Sequence, residues 1–196
     1  MSFIHLTAKE VNCKVIYIGP GMSGKTTNMQ YIYEKTNNTQ LVSLSAENER
    51  TLFFDFLPLG IGERNGLKTR LHLYTLPGQS FYDTSRQFIL RGLDGLIFVA
   101  DSSQERMEAN IETLNQLEKT LENQGYDIHS IPLVFQYNKR DIPQKLSIAE
   151  LNATLNPMDR PYFEAIAHKG IGVMETLNAC SQLVLAELAH EVKGRT

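Results

Sequence analysis

Several features that mark common protein classes are scarce in this sequence. The 196 residues hold two cysteines, Cys13 and Cys180, too few for a disulfide framework or a cysteine-rich metal site. Cys13 lies beside an apolar strand and Cys180 on the apolar stripe of the last predicted helix. Both read as small core residues in a reducing compartment. There is no basic excess: 19 Lys+Arg against 22 Asp+Glu give a net charge of -3, so nucleic acid is not expected as a partner. No apolar run approaches the ~20 residues that would span a bilayer. Residues 1–6 lack the charged start and long apolar run of a signal peptide. Ser2 excludes N-myristoylation, and Lys193-Gly194-Arg195-Thr196 is no prenylation box. A cytoplasmic protein without an intrinsic membrane anchor is expected. Repeats and low-complexity linkers are also missing, and the length suits one packed domain over residues 1–196.

What is present is an alternation of strand-length apolar runs with helical periodicity. Residues 11–18 read as a strand and 26–35 as a helix. Residues 51–59 and 67–76 read as two strands joined by a hairpin turn across 60–66, where three glycines fall. A short helix is expected over 81–91 and a fully buried strand over 93–101. Ile111, Leu114, Leu117 and Leu121 place a helix at 107–124. A strand follows at 131–138, a short helix at 146–155 and a final short strand ending in 165–168. Val173, Leu177, Cys180, Val184 and Leu188 form one stripe of a last long helix. This order predicts an α/β fold: a mostly parallel central sheet with one antiparallel strand and helices on both faces. Ligands then bind beyond the carboxyl ends of the strands.

Gly19-Pro20-Gly21-Met22-Ser23-Gly24-Lys25-Thr26 matches G-x-x-x-x-G-K-[ST], after a strand and before a helix. Backbone N–H groups of Gly19, Gly21, Met22, Ser23 and Gly24 are expected to curl around phosphates, with Thr27 in the following turn. Lys25 should reach the outer phosphates and Thr26 should ligate Mg²⁺. A glycine-rich turn with an incidental lysine is the bland alternative, disfavoured because every position matches in context. Asn138-Lys139-Arg140-Asp141, at the end of the 131–138 strand, narrows the base. An Asp141 carboxylate can accept from guanine's N1–H and N2–H₂, a donor pair adenine lacks, and losing it costs ~1–3 kcal/mol. The Lys139 stem can lie against the base, while Asn138 ties this loop to the phosphate loop. In Ala165-Ile166-Ala167-His168 the backbone around Ala167 and His168, the Ala167 N–H above all, could meet guanine O6.

Together these motifs resemble the Ras-like small GTPases, a family of P-loop NTPases, over the whole chain. "RTLFFDFLPL" followed by "YTLPGQ" is similar to the bacterial MglA-like branch of gliding-motility and polarity GTPases. The resemblance implies a switch that binds GTP or GDP with Mg²⁺, hydrolyses GTP slowly alone, and is recruited to a cell pole when GTP-bound. It implies an MglB-like roadblock homodimer as activating partner and effectors specific to the GTP state. Thr51 then matches the first-switch threonine on Mg²⁺ and the γ-phosphate, Gly78 the second-switch glycine, and Gln79 the residue that orients the attacking water. Arg50 matches an intrinsic arginine finger, worth roughly 10³–10⁵ in rate. From its local sequence alone, a solvated charge in "ENER" is the commoner fate.

Thr75 departs from the family, which places a magnesium-supporting aspartate three residues before the glycine. The nearest acid on the first-switch side is Asp55. In a straight strand it lies about 13 Å beyond Thr51, at ~3.3 Å per residue, so it reaches the ion only if the chain bends or the strand slides. Leu52, Phe54 and Phe56 face one way and Phe53, Asp55 and Leu57 the other. With both faces largely apolar, register is weakly fixed, and burial on both faces explains the same pattern. Two rival readings stay open: a GTP-binding adaptor with negligible turnover, and a P-loop kinase of a small metabolite.

Overall fold

The structure is a computed structural model, and it describes residues 3–5, 10–36, 42–44, 54–64, 67–76 and 89–193. Its strands are β1 (Phe3–His5), β2 (Glu10–Ile18), β3 (Val42–Leu44), β4 (Phe54–Arg64), β5 (Leu67–Thr75), β6 (Gly95–Asp101), β7 (Leu133–Asn138) and β8 (Tyr162–Glu164). The α-helices are α1 (Lys25–Lys35), α2 (Met107–Glu122), α3 (Ile148–Leu155) and α4 (Val173–Lys193). One sheet holds the strands in the order β3-β4-β5-β2-β6-β7-β8, with β1 added against β2.

β2, β5, β6, β7 and β8 run parallel. β4 is the expected antiparallel strand, paired with β5. Two three-residue strands join it: β3 runs antiparallel to β4, and β1 antiparallel to β2. All seven residues of β6 and all six of β7 are buried, as strands sandwiched between two helical layers must be. One layer packs Met29 and Ile32 of α1 with Val173, Leu177, Cys180 and Val184 of α4 against Val15, Tyr17, Val99 and Val134. The other packs Leu114, Leu117 and Leu121 of α2 with Leu151 and Leu155 of α3 against Ile16, Phe98, Phe135 and Tyr137. The α4 stripe is thus the one predicted. α3 begins at a capping box in which Ser147 accepts from the Glu150 N–H and the Glu150 side chain accepts from Ser147, which explains a start two residues later than the periodicity suggests.

Two expectations need correction. The stretch 60–66 is not all turn: β4 runs through Gly60 to Arg64, with a register shift between Gly60 and Gly62, and pairing resumes at Gly62↔Thr69 and continues to Arg64↔Leu67. Glycine inside a strand marks a bulge, and Asn65-Gly66 is the stronger two-residue hairpin signal. The final strand ends at Glu164, and Ala167–Lys169 form a 3-10 turn rather than its end. Of the helix expected over 81–91, residues 81–88 lie outside the described residues, and Ile89 and Leu90 are helical.

Candidate functional site

The carboxyl ends of β2, β6, β7 and β8 bring three separate loops together. The first leaves β2 at Ile18 and enters α1 at Lys25. Gly19 passes so close to β6 that a Cβ there would stand 2.1 Å from the Val99 carbonyl oxygen. Gly24 has φ +103°, and a Cβ on it would meet the Asn138 amide nitrogen at 2.2 Å. Only glycine fits either place. Lys25 is buried, and its Nζ donates to the carbonyls of Gly19 and Pro20, both at 2.8 Å. These bonds hold an ammonium over the loop that burial would otherwise penalise.

α1 has no side-chain N-cap and no acidic residue in its first turn, so its leading N–H groups suit an anion. The Ser23 hydroxyl is fully buried at the loop and finds no partner among the described residues. The donor set fits a polyphosphate. Met22 has φ +65° and is exposed, Thr26 is exposed on the first turn of α1, and Thr27 is half-buried.

The second and third loops meet the first through Asn138. Its amide nitrogen donates to the Ser23 carbonyl at 2.8 Å, and its Oδ1 accepts from the Ala167 N–H at 2.9 Å. One buried side chain therefore fixes all three loops, as its position in the sequence suggested. The Ala167 N–H, expected from the sequence to face a base oxygen, donates here to Asn138. Lys139 takes φ +65° and its Nζ meets the buried Asp101 carboxylate at 2.6 Å. The other oxygen of Asp101 accepts from the Ser103 N–H and hydroxyl. Arg140 is turned away, to Glu164 at 2.7 Å and the Leu146 carbonyl. Asp141 is partly exposed, with His168 Nε2 at 3.4 Å and Lys169 Nζ at 3.7 Å.

Asp101 and Arg106 were not singled out from sequence. Asp101 ends an otherwise apolar buried strand, a signal that could have found it. Arg106 donates to the Gly21 carbonyl at 2.9 Å and carries no sequence signal. An open cleft of about 550 Å³ lined by Ser103, Gln104, Glu105, Ile142, Pro143 and Gln144 lies beside these loops. It has none of the lysine and glycine-loop donors that phosphate needs.

Thr75 is buried at the end of β5, level with Tyr17 of β2. Phe56 pairs with Tyr74 in the β4–β5 ladder, so one further step of that register brings position 55 level with Thr75. Arg50, Thr51, Gly78 and Gln79 lie outside the described residues. Among the described residues no cluster of three or more His, Cys, Asp or Glu could hold a metal, and no helix is long and apolar enough to cross a membrane. Burial pushes the Cys13 and Cys180 thiols up to about 12, with Asp94 adding to the effect at Cys13. Both are unreactive core thiols at neutral pH.

Comparison with known proteins agrees with this geometry. The Arf, or ADP-ribosylation factor, family matches residues 1–184. The mutual gliding-motility protein MglA of Myxococcus xanthus (strain DK1622) is 56% identical over 191 residues, covering 96% of this chain and 98% of that protein. Human ADP-ribosylation factor-like protein 4C is 27% identical over 144 residues, 72% of this chain and 67% of its own length. ADP-ribosylation factor-like protein 6 of Caenorhabditis briggsae is 26% identical over 148 residues, 75% and 70% of the two chains. The phosphate-loop motif, the asparagine that locks its loop to those after β7 and β8, and these matches make the chain a member of the ADP-ribosylation factor family of Ras-like small GTPases, a GTP hydrolase similar to MglA.

Proposed function

We propose that residues 1–196 form a single guanine-nucleotide switch domain that serves cell polarity or gliding motility, closing on GTP and relaxing on GDP. The observation that carries this reading is the Asn138 bridge, which joins the Ser23 carbonyl to the Ala167 amide. It turns a phosphate loop and two base loops into one nucleotide seat. In that seat the N–H groups of residues 19–24 and the Lys25 ammonium hold the phosphates, with Thr27 behind them. Asp141 selects guanine through its paired acceptors. The Lys139 stem covers one side of the base. With the Ala167 N–H occupied by Asn138, the base oxygen is left to the His168 N–H or to a shared Ala167 bond.

Thr26 and Thr51 are the protein oxygens that would hold Mg²⁺, which when bound neutralises charge on the β- and γ-phosphates. A single exposed hydroxyl at Thr26 beside a polyphosphate seat fits an ion that keeps its waters and leans on phosphate oxygens. Asp55 is the proposed replacement for the aspartate missing at Thr75, supported by its backbone register one step beyond Phe56↔Tyr74. Gly78 would donate to the γ-phosphate, Gln79 would orient the attacking water, and Arg50 would stabilise charge on the transferred group. An MglB-like roadblock homodimer is the proposed activator. Effectors specific to the GTP state would read the switch, and recruitment of the otherwise cytoplasmic chain to a pole would follow.

Single-turnover hydrolysis with and without such a homodimer tests the assignment. Arg50→Ala and Gln79→Ala should each lose most of the partner-stimulated rate while retaining GTP. Full stimulated turnover in either variant removes that residue from the mechanism.

A further inference from the structure

β7 delivers Asn138 and Asp141 to the nucleotide seat, yet two residues earlier it buries an amide where its neighbours are apolar. Val134, Gln136 and Asn138 share the face toward α1 and α4, and Gln136 is completely buried there. Asn28 of α1 and Thr176 of α4 are completely buried as well. Gln136 Nε2 donates to Asn28 Oδ1 at 3.0 Å and to the Thr176 hydroxyl at 3.1 Å. Asn28 Nδ2 donates back to Gln136 Oε1 at 2.8 Å. Each end of this chain then closes on a loop backbone: Asn28 Nδ2 on the Gly24 carbonyl at 2.9 Å, and the Thr176 hydroxyl on the Gly172 carbonyl at 2.5 Å.

The bonding has one consistent direction. Gly24 and Gly172 can only accept, so the Asn28 nitrogen and the Thr176 hydroxyl proton are fixed as donors. Gln136 must then give both its protons to Asn28 and Thr176. Every side-chain donor in the triad is used. Three polar side chains buried this deeply are costly unless every member is satisfied, and apolar residues would fill the space at less risk. The choice of end points is informative. Gly24 is the last residue of the phosphate loop, and Gly172 closes the loop that carries Ala167 and His168 into α4. Gln136 itself sits on the strand that presents the base-selecting segment.

We infer that Asn28, Gln136 and Thr176 are positioning residues for nucleotide retention, forming an inner clamp beneath Asn138 that fixes the spacing of the phosphate loop and both base loops. Asn138 joins the loops at the nucleotide's own level, through Ser23 and Ala167. The triad joins the same three segments one layer deeper, through Gly24 and Gly172. Loosening it lets the phosphate and base halves of the seat move apart while the outer contacts remain chemically intact.

The inference rests on the guanine-nucleotide seat proposed above, and dissociation of a fluorescent GDP analogue, chased with excess GDP, tests it alongside thermal unfolding. Failure of the wild-type protein to retain the analogue would count against the seat itself, independently of the triad. In Asn28→Leu/Gln136→Leu/Thr176→Val all three polar groups are replaced together, so no partner is left orphaned and stability should stay near wild type. GDP should nevertheless leave about ten-fold faster, the loss expected of a bond or two that position the seat. Thr176→Val, a change of one hydroxyl, gives a smaller acceleration of about three-fold and covers the case in which the triple variant does not fold. Thr176→Ser keeps the hydroxyl and should hold GDP as wild type does. GDP release at the wild-type rate from a folded triple variant, or from Thr176→Val, would overturn the inference and leave the triad a purely structural network.

Discussion

On the face of the sheet covered by α1 and α4, buried amides and a hydroxyl run from the core into the nucleotide loops: Asn28, Gln136 and Thr176 end on Gly24 and Gly172, and Asn138 ends on Ser23 and Ala167. On the face covered by α2 and α3, Ile16, Phe98, Phe135, Leu114 and Leu117 meet as hydrocarbon, with the Phe98 and Phe135 rings 5.6 Å apart. The buried polar groups of that second face stay with its own elements. The Tyr137 hydroxyl donates to Asn152, and the Asn110 amide closes on both backbone groups of Asp101. Directional bonds hold positions to within tenths of an ångström, whereas apolar packing supplies stability with less directional constraint. The geometry of the seat is thus proposed to rest on the first face, and the support of the sheet that carries it on the second. Substitutions on the two faces should separate nucleotide retention from stability.

The largest effect belongs to Gly19→Ala. Its new Cβ would stand 2.1 Å from the Val99 carbonyl, a backbone atom of β6 that cannot swing aside. Nucleotide content after purification should fall to nothing, with or without a folded chain by circular dichroism. Asp141→Asn comes next. It should exchange guanine for xanthine preference, shifting relative affinity about 100-fold in a competition assay, because the new amide meets a carbonyl where guanine has an amine. Leu117→Ala sharpens the contrast from the opposite face. Emptying that buried site costs about 2–5 kcal/mol by denaturant unfolding, yet GDP release should stay within about two-fold of wild type. Arg106→Ala removes the donor to the Gly21 carbonyl and should speed GDP release only about three-fold, as one partly exposed bond allows. The smallest effect is a null one. Cys13 and Cys180, pushed up to about 12 by burial, should resist alkylation in the native protein at pH 7 and react after unfolding.

The alternation of strands and helices was legible because β6 and β7 are buried apolar runs and α4 carries a five-residue stripe. The phosphate loop was legible because its glycines answer a steric demand: Val99 and Asn138 leave no room for a side chain at Gly19 and Gly24. Asn138 was legible by its place at a strand end. Tertiary bonding was not. Gln136 stands in "IPLVFQYN" as one polar residue among apolar ones, and local sequence cannot name partners 108 and 40 residues away. The engagement of the Ala167 N–H by Asn138 likewise depends on how two distant loops meet. The glycines of 60–66 misled because a bulge and a turn use the same residue type.

Asn138 and the loops it joins are proposed to retain the nucleotide, and Arg50 and Gln79 to govern its hydrolysis. One measurement addresses this proposal most directly: GDP release from Asn138→Ala compared with Gln79→Ala, by chase of a bound fluorescent analogue. Losing both bonds of the Asn138 amide should accelerate release at least about ten-fold, while Gln79→Ala should release GDP at the wild-type rate. Wild-type release from a folded Asn138→Ala protein would show that the bridge between the loops does not hold the nucleotide.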